Sequence, residues 1–181
     1  MTTRERALHA AVHLVGTDGV RALTHGRVDA AAGLPAGSTS NHFRTRAALV
    51  GGVVAWIADS ERADFAGAGS VPASIDDFVD MLTAMVEQQT SAHAERTRAR
   101  YALFLESGPA EVQTVLRTQR AQYEVWLQSL LAGLDMPDPA DAARAIMACA
   151  EGLVLHRLTV DPAASVRPSI ERIVRGCLHR R

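Results

Sequence analysis

The chain has 181 residues, enough for one well-buried domain or a small domain joined to a larger one, and its 48% hydrophobic and 22% charged residues are the balance of a globular protein. No apolar run approaches the roughly 20 residues that span a bilayer, and the N-terminal MTTRERALHAAVHLVG has neither an apolar h-region nor a small-residue cleavage site, so a cytoplasmic location is expected. The formal charge of −1 hides an asymmetry: in residues 1–50 Arg4, Arg6, Arg21, Arg27, Arg44 and Arg46 outweigh Glu5, Asp18 and Asp29, while the remainder is net acidic, which points to a polyanion at one end only.

In chain order, Thr2 or Thr3 caps a first helix, and Glu5, three residues after Thr2, completes a capping box. Leu8, Ala11, Val12 and Val15 give that helix one apolar face. Thr24 is the N-cap of a second helix carrying Val28, Ala31 and Ala32, and Gly33 stops it. Leu34 fills the turn, and Pro35-Ala36 is the expected start of a third helix, because proline lacks only an N–H that would be unpaired there. Phe43 ends it facing inward. Thr45 caps a long fourth helix with Ala48, Leu49, Val53, Trp56 and Ile57. GAGSVPAS (67–74) reads as a linker. Helices follow at about 74–91, 94–107, 109–133, 139–159 and 166–180, separated by ESGP, LDMPDP and VDPAAS. No stretch alternates with period two for long enough to be a strand, so the expected class is all-α with about nine helices.

Two short helices joined by a tight glycine-containing turn are the helix-turn-helix arrangement, which presents its second helix to the major groove of DNA. Gly37 is expected to leave the backbone amides at that helix start open to a phosphate.

The stretch GVRALTHGRVDAAAGLPAGSTSNHFRTRAALV (19–50) resembles the DNA-binding segment of the TetR family of bacterial repressors. Gly19, Ala22-Leu23-Thr24, Ala32-Gly33, Gly37, His42-Phe43, Arg46 and Ala48-Leu49 match that pattern. The likeness is close over about 45 N-terminal residues, and beyond them it rests on length and helix layout. It implies that His25 opens the second helix against phosphate or base, and that Ala36, Gly37 and Ser38 start the recognition helix. Ser40 and Asn41 stand where two aromatic residues usually meet DNA, His42 matches a histidine that touches the backbone, and Arg46 matches a basic residue starting the next helix. Arg27 completes the set of DNA-binding candidates. Ser, Asn and His can all hydrogen-bond phosphate oxygens, and Asn can pair with adenine through two hydrogen bonds. Besides the two aromatic residues absent at Ser40 and Asn41, Thr39 replaces an apolar anchor, Asp29 replaces a small residue, and Gly26 stands where a polar or basic residue is common.

The expected domains are 1–46, binding DNA, and 47–181, binding an effector and a second copy. In the helix at 109–133, Val112, Val115, Leu116, Gln119, Tyr123, Trp126, Leu127, Leu130 and Leu131 mix a wide apolar face with amphipathic groups, as ligand pockets do. Ordinary core or interface aromatics fit Tyr123 and Trp126 as well. The resemblance implies a small-molecule effector, with Trp56, Tyr101, Phe104, Gln119, Tyr123, Trp126, Met147 and Glu151 as candidate pocket residues. Glu151 reads either as part of a solvated face or as a buried anchor. In the last two helices, Ala142, Ala145, Ile146, Cys149, Gly152, Leu153 and His156 on one and Val166, Ile170, Ile173, Val174 and Cys177 on the other suit self-association. The resemblance implies a four-helix dimer interface there.

Enzymatic signals are weak. His9 and His13 have zinc-site spacing, but Ala10 stands where H-E-x-x-H needs its glutamate, and half-exposed helix histidines explain them better. There is no E-x-x-H pair for a di-iron bundle, no Gly-rich phosphate loop and no nucleophile elbow, so neither catalysis nor a cofactor or metal is expected. Cys149 and Cys177 do not suggest a disulfide framework. A DNA-binding regulator released from a palindromic operator by its effector is the leading expectation. The alternatives are an activator, or a helical carrier or enzyme retaining a disused motif.

Overall fold

The computed structural model describes residues 1–67, 71–105 and 110–179, and among these it is wholly helical. The helices are α1 (Thr3–Asp18), α2 (His25–Ala31), α3 (Ser38–His42), α4 (Arg46–Gly67), α5 (Ile75–Thr90), α6 (Ala94–Leu105), α7 (Ala110–Gly133), α8 (Pro139–Thr159) and α9 (Arg167–Cys177), with a 3-10 turn at Val20–Ala22. No helix among the described residues is long and apolar enough to cross a membrane. The ESGP break, residues 68–70 of the linker, the side chains of Val112 and Leu116, and Arg180 at the end of the expected last helix lie outside the described residues.

Local hydrogen bonds set four of the helix starts. The Thr2 hydroxyl accepts from the Glu5 N–H at 3.2 Å, and the Glu5 carboxylate accepts from the Thr2 N–H at 2.7 Å. Thr24 caps α2 through the Arg27 N–H, Thr45 caps α4 through the Ala48 N–H, and Ser74 caps α5 through the Asp77 N–H. The third helix begins later than Pro35-Ala36. Gly37 is left-handed at φ 90°, and the Pro35 carbonyl accepts from both the Ser38 N–H and the Ser38 hydroxyl, so Pro35 to Gly37 form a turn and only Ser38–His42 are helical.

The chain packs as two compact units. One contains Met1–Gly67 and Ala94–Gln119; the other contains Ala68–His93 and Arg120–Arg181. In the first, Leu8 and Val15 of α1, Leu23, Val28, Phe43 and the α4 residues Leu49, Val53 and Ile57 form one core with Ala99 and Leu103 of α6. Burying each large side chain contributes about 1.5–3 kcal/mol. At Gly16, α1 meets α6 with no side chain between them: a Cβ there would lie 2.3 Å from the Glu95 carbonyl oxygen. Beside it His13 Nδ1 lies 2.9 Å from the Glu95 carboxylate, and His9 packs edge-on against the Trp56 ring.

In the second unit α5, α8 and α9 pack around Phe78, Ile146, Ile170 and Val174, with Leu131 of α7 equally buried. Arg157 ties α8 down by donating to the Thr90 hydroxyl at 2.8 Å and to the Ala164 carbonyl at 2.6 Å. Val166, Ile170 and Val174, read from sequence as a self-association row, belong to this interior. So do Ala142 and Ile146, whereas Ala145, Gly152 and His156 are exposed.

Gly16→Ala is expected to lower unfolding stability by about 1–3 kcal/mol, because the obstructing atom is backbone and cannot rotate away. Gly26→Ala in α2, where a Cβ meets nothing within 4 Å, is expected to stabilise by up to about 1 kcal/mol. Urea unfolding of both variants checks this, and a neutral Gly16→Ala would mean that α1 and α6 are not in such close contact.

Candidate nucleic-acid interface

The turn from α2 to α3 is built from polar groups that meet backbone. At the end of α2, Arg6 reaches over from α1 and donates to the carbonyls of Ala32 at 2.8 Å and Gly33 at 3.2 Å, which satisfies acceptors that a helix end leaves open. Gly33 then takes φ 60°, and the Leu34 N–H returns to the Asp29 carbonyl at 2.8 Å. Leu34, read from the sequence as filling the turn, is partly buried and packs on the core.

Asp29 holds the other side of the turn. It is 3% exposed, and its carboxylate accepts from the Gly37 N–H at 2.8 Å, the Thr39 N–H at 2.8 Å and the Thr39 hydroxyl at 2.5 Å. Thr39 is fully buried. Two of the departures from the family pattern, Asp29 and Thr39, are therefore one feature: a carboxylate on α2 and a hydroxyl on α3 that satisfy each other. Burial pushes the Asp29 carboxyl up, but the bonds from Thr39 and the Gly37 amide, with a smaller electrostatic effect of His25, hold it below its ordinary 3.8. This arrangement overturns the expectation of amides open to phosphate. The Gly37 and Thr39 N–H groups point at Asp29, and the Ser38 N–H points at Pro35.

His25, one turn before Asp29 on α2, bonds through Nε2 to the Phe43 carbonyl at 2.6 Å. Phe43 is buried, with the Arg4 guanidinium 5.5 Å from its ring centroid. Residues on one face of α2 thus hold α3 at both ends.

The remaining candidates divide by whether their polar groups are already engaged. The hydroxyls of Ser38 and Ser40 donate to the carbonyls of Pro35 at 2.6 Å and Gly37 at 2.8 Å. Ala36 is exposed in the turn before α3. Arg27 is paired with Asp18 at 2.5 Å, and Arg46 donates to the Val20 carbonyl at 3.0 Å. Among the described residues, no protein group bonds the side chains of Asn41 and His42, which are exposed at the end of α3. Arg44, one residue past Phe43, is exposed and likewise unpaired. Sequence reasoning passed over Arg44 because roles were assigned by family position, although the local charge had included it.

The effector candidates fall into two sets. In the first unit Trp56 packs on the α1–α4 core, and Tyr101 lies under the Arg100 guanidinium, 4.9 Å from ring centroid to carbon, with a buried hydroxyl that has no hydrogen-bond partner among the described residues. Phe104 is exposed, and Gln119, 5% exposed, donates to Glu61 at 2.9 Å. Glu61 is itself 4% exposed and paired with Arg100 at 3.2 Å, a buried carboxylate that the sequence reading missed. In the second unit Tyr123 and Met147 are half-buried and Trp126 is exposed. Glu151, half-buried, is ion-paired with Arg120. Among the described residues no three metal-binding side chains cluster.

Residues 73–180 match the family model described as "Tetracyclin repressor-like, C-terminal domain". No curated protein matches the chain. Similar solved structures include a transcriptional regulator from Rhodococcus sp. Rha1, 18% identical, with a TM-score of 0.78 over 98% of this chain and 96% of that one. A member of the TetR family from Streptomyces coelicolor A3 is 25% identical, with a TM-score of 0.76 over 97% of this chain and 98% of that one. The multidrug binding protein EbrR, complexed with ethidium, is 24% identical, with a TM-score of 0.69 over 97% of each chain.

A carboxyl with a depressed folded pKa stabilises above its unfolded pKa and loses that contribution as pH falls through the folded value. Asp29→Asn keeps the shape but turns an amide donor toward amide donors. It is expected to cost about 1–3 kcal/mol at pH 7. The gap from wild type should close as pH falls below the ordinary carboxylate range. Urea unfolding of both proteins from neutral to acid pH reads this, and a gap independent of pH would remove the charge from the explanation.

Proposed function

The chain belongs to the tetracycline-repressor-like (TetR) family of transcriptional regulators, and from that premise we propose that it is a DNA-binding repressor released from a palindromic operator by a small-molecule effector. In this reading residues 1–46 meet DNA, and 47–181 bind the effector and a second copy. The observation that carries it is the firmly held α3, with Asn41, His42 and Arg44 exposed and unengaged beyond it. These three supply what a duplex demands: a side chain able to pair with a base edge, a donor to phosphate and a free guanidinium. His25, Arg27, Ala36, Gly37, Ser38, Ser40 and Arg46 lie around them as the proposed surround. Of these, Arg27 and Arg46 each already engage one guanidinium nitrogen, with Asp18 and the Val20 carbonyl, which leaves further N–H donors for phosphate. The alternative, a carrier with a disused motif, loses Asp29 as support, since Asp29 holds the motif together, and keeps only the absent aromatics at Ser40 and Asn41.

We place the proposed dimer on the exposed side of α8, at Ala145, Ala148, Gly152 and Leu155, together with α9. Small residues there let a partner helix approach closely. A two-fold dimer sets its recognition helices about 34–36 Å apart, or a multiple of this, which demands a palindromic operator. The effector residues are proposed as two sets to be tested separately: Trp56, Tyr101, Phe104 and Gln119, and Tyr123, Trp126, Met147 and Glu151. An effector shifts DNA affinity only by its differential affinity for the two states, typically about 1–3 kcal/mol.

Fluorescence anisotropy on DNA from upstream of the gene, against unrelated DNA, is the direct test. Log affinity is expected to fall linearly with log salt, and Arg44→Ala to reduce that slope by about 1 while weakening all sequences alike. Asn41→Ala should cost about 1–3 kcal/mol and relax preference at a single base pair. No binding at low salt to either DNA would end this reading. For the dimer, Gly152→Arg should shift sedimentation equilibrium to the monomer; an unchanged dimer would place the interface elsewhere.

A further inference from the structure

We infer that Asp29 and His25 are positioning residues for the proposed DNA reading: from one face of α2 they clamp the two ends of α3 and so determine which sequence its side chains select. The inference rests on the DNA-binding reading above. The recognition helix has five residues, far too few to hold a helical conformation alone, since nucleating one turn is already unfavourable. Its shape must come from outside. Asp29 supplies the N-terminal attachment through both carboxylate oxygens, Oδ2 to the Gly37 N–H and Oδ1 to the Thr39 N–H and hydroxyl. His25 supplies the C-terminal attachment by donating Nε2–H to the Phe43 carbonyl. The two residues are four apart on α2, hence on one face.

Neither attachment needs DNA, and neither resembles a contact with it. Asp29 is buried, and a carboxylate repels phosphate. Together they fix where Asn41 and His42 project. Base-edge hydrogen bonds depend on that placement, whereas the attraction of free arginines to the phosphate backbone tolerates small shifts. The clamp is therefore expected to control selectivity and leave non-specific affinity nearly untouched, which a residue of merely general structural value would not do.

The test uses the full chain. A random duplex library is first selected with wild-type protein. The wild type, Asp29→Asn and Thr39→Val are then compared by amide hydrogen exchange without DNA and by affinity for the selected duplex and for an unrelated one. For Asp29→Asn, exchange at Gly37 and Thr39 is expected to rise about tenfold or more while Val28, Leu49 and Val53 stay protected. Affinity for the selected duplex should fall about tenfold or more, and affinity for the unrelated duplex should change less than about twofold. Thr39→Val, which removes one of the three bonds, should give a smaller loss in the same direction. His25→Gln retains a donor of similar reach and should keep selectivity better than His25→Ala. Unchanged protection and selectivity in Asp29→Asn would overturn the inference. So would an equal loss on both duplexes together with loss of protection at Leu49 and Val53. If the wild type enriches no sequence, the DNA-binding premise has failed, and the exchange data alone decide whether Asp29 holds α3.

Discussion

The surface that meets DNA in this reading depends on one buried carboxylate. Taking a charge out of water costs several kcal/mol unless hydrogen bonds replace the lost hydration, and Asp29 receives three. In return it satisfies the buried amide and hydroxyl of Thr39 and the part-buried amide of Gly37 in the turn before it. An apolar pair at these two positions would fill the same space, but it would leave the Gly37 and Thr39 amides to find water. The polar pair removes that freedom, so the seven residues of α2 and the five of α3 behave as one object rather than two marginal helices.

The N-terminal arginines show why a charge count is a poor map of a DNA-binding face. Six of them give this end its positive balance, yet Arg6 and Arg46 spend hydrogen bonds on backbone carbonyls, Arg27 faces Asp18, and Arg4 lies over Phe43. The exposed Arg27–Asp18 pair contributes little to stability, so exchanging that partner for a phosphate costs little. Arg6 differs, because the carbonyls it satisfies close α2 and would be left without their donor. Position relative to unsatisfied backbone, more than charge, separates guanidinium groups that build the motif from those that face outward.

The starts of α1, α2 and α4 were legible in the sequence because the bonds that make them span only three residues: Thr2 with Glu5, Thr24 with Arg27, Thr45 with Ala48. What escaped reading spans more. Asp29 and Thr39 are ten residues apart, and each alone looks like a flaw; only their contact shows that one answers the other. Glu61 and Gln119 are 58 residues apart, so nothing local marks either as half of a buried pair. Of the apolar row Val166, Ile170, Ile173, Val174 and Cys177, read as suited to self-association, Val166, Ile170 and Val174 are covered by the chain itself. Periodicity shows that a helix face avoids water and is silent about whether the cover comes from the same chain or from another.

The division by function and the division by packing do not coincide. A boundary near residue 46 separates the motif that resembles a DNA reader from the rest, yet α6 and the first turns of α7 pack with the N-terminal helices as one unit. Within that unit one line of contacts leads from α6 to α3. The α6 backbone meets α1 at Gly16 with no side chain to absorb a shift, α1 carries the Arg6 that closes α2, and α2 carries the Asp29 and His25 that hold α3. Close-packed interiors transmit small displacements rather than absorbing them. These contacts connect α6 to the side chains of α3. Connection alone moves nothing: in the proposed reading, a molecule that binds beside α6 changes DNA affinity only if it binds two arrangements of this chain of contacts unequally.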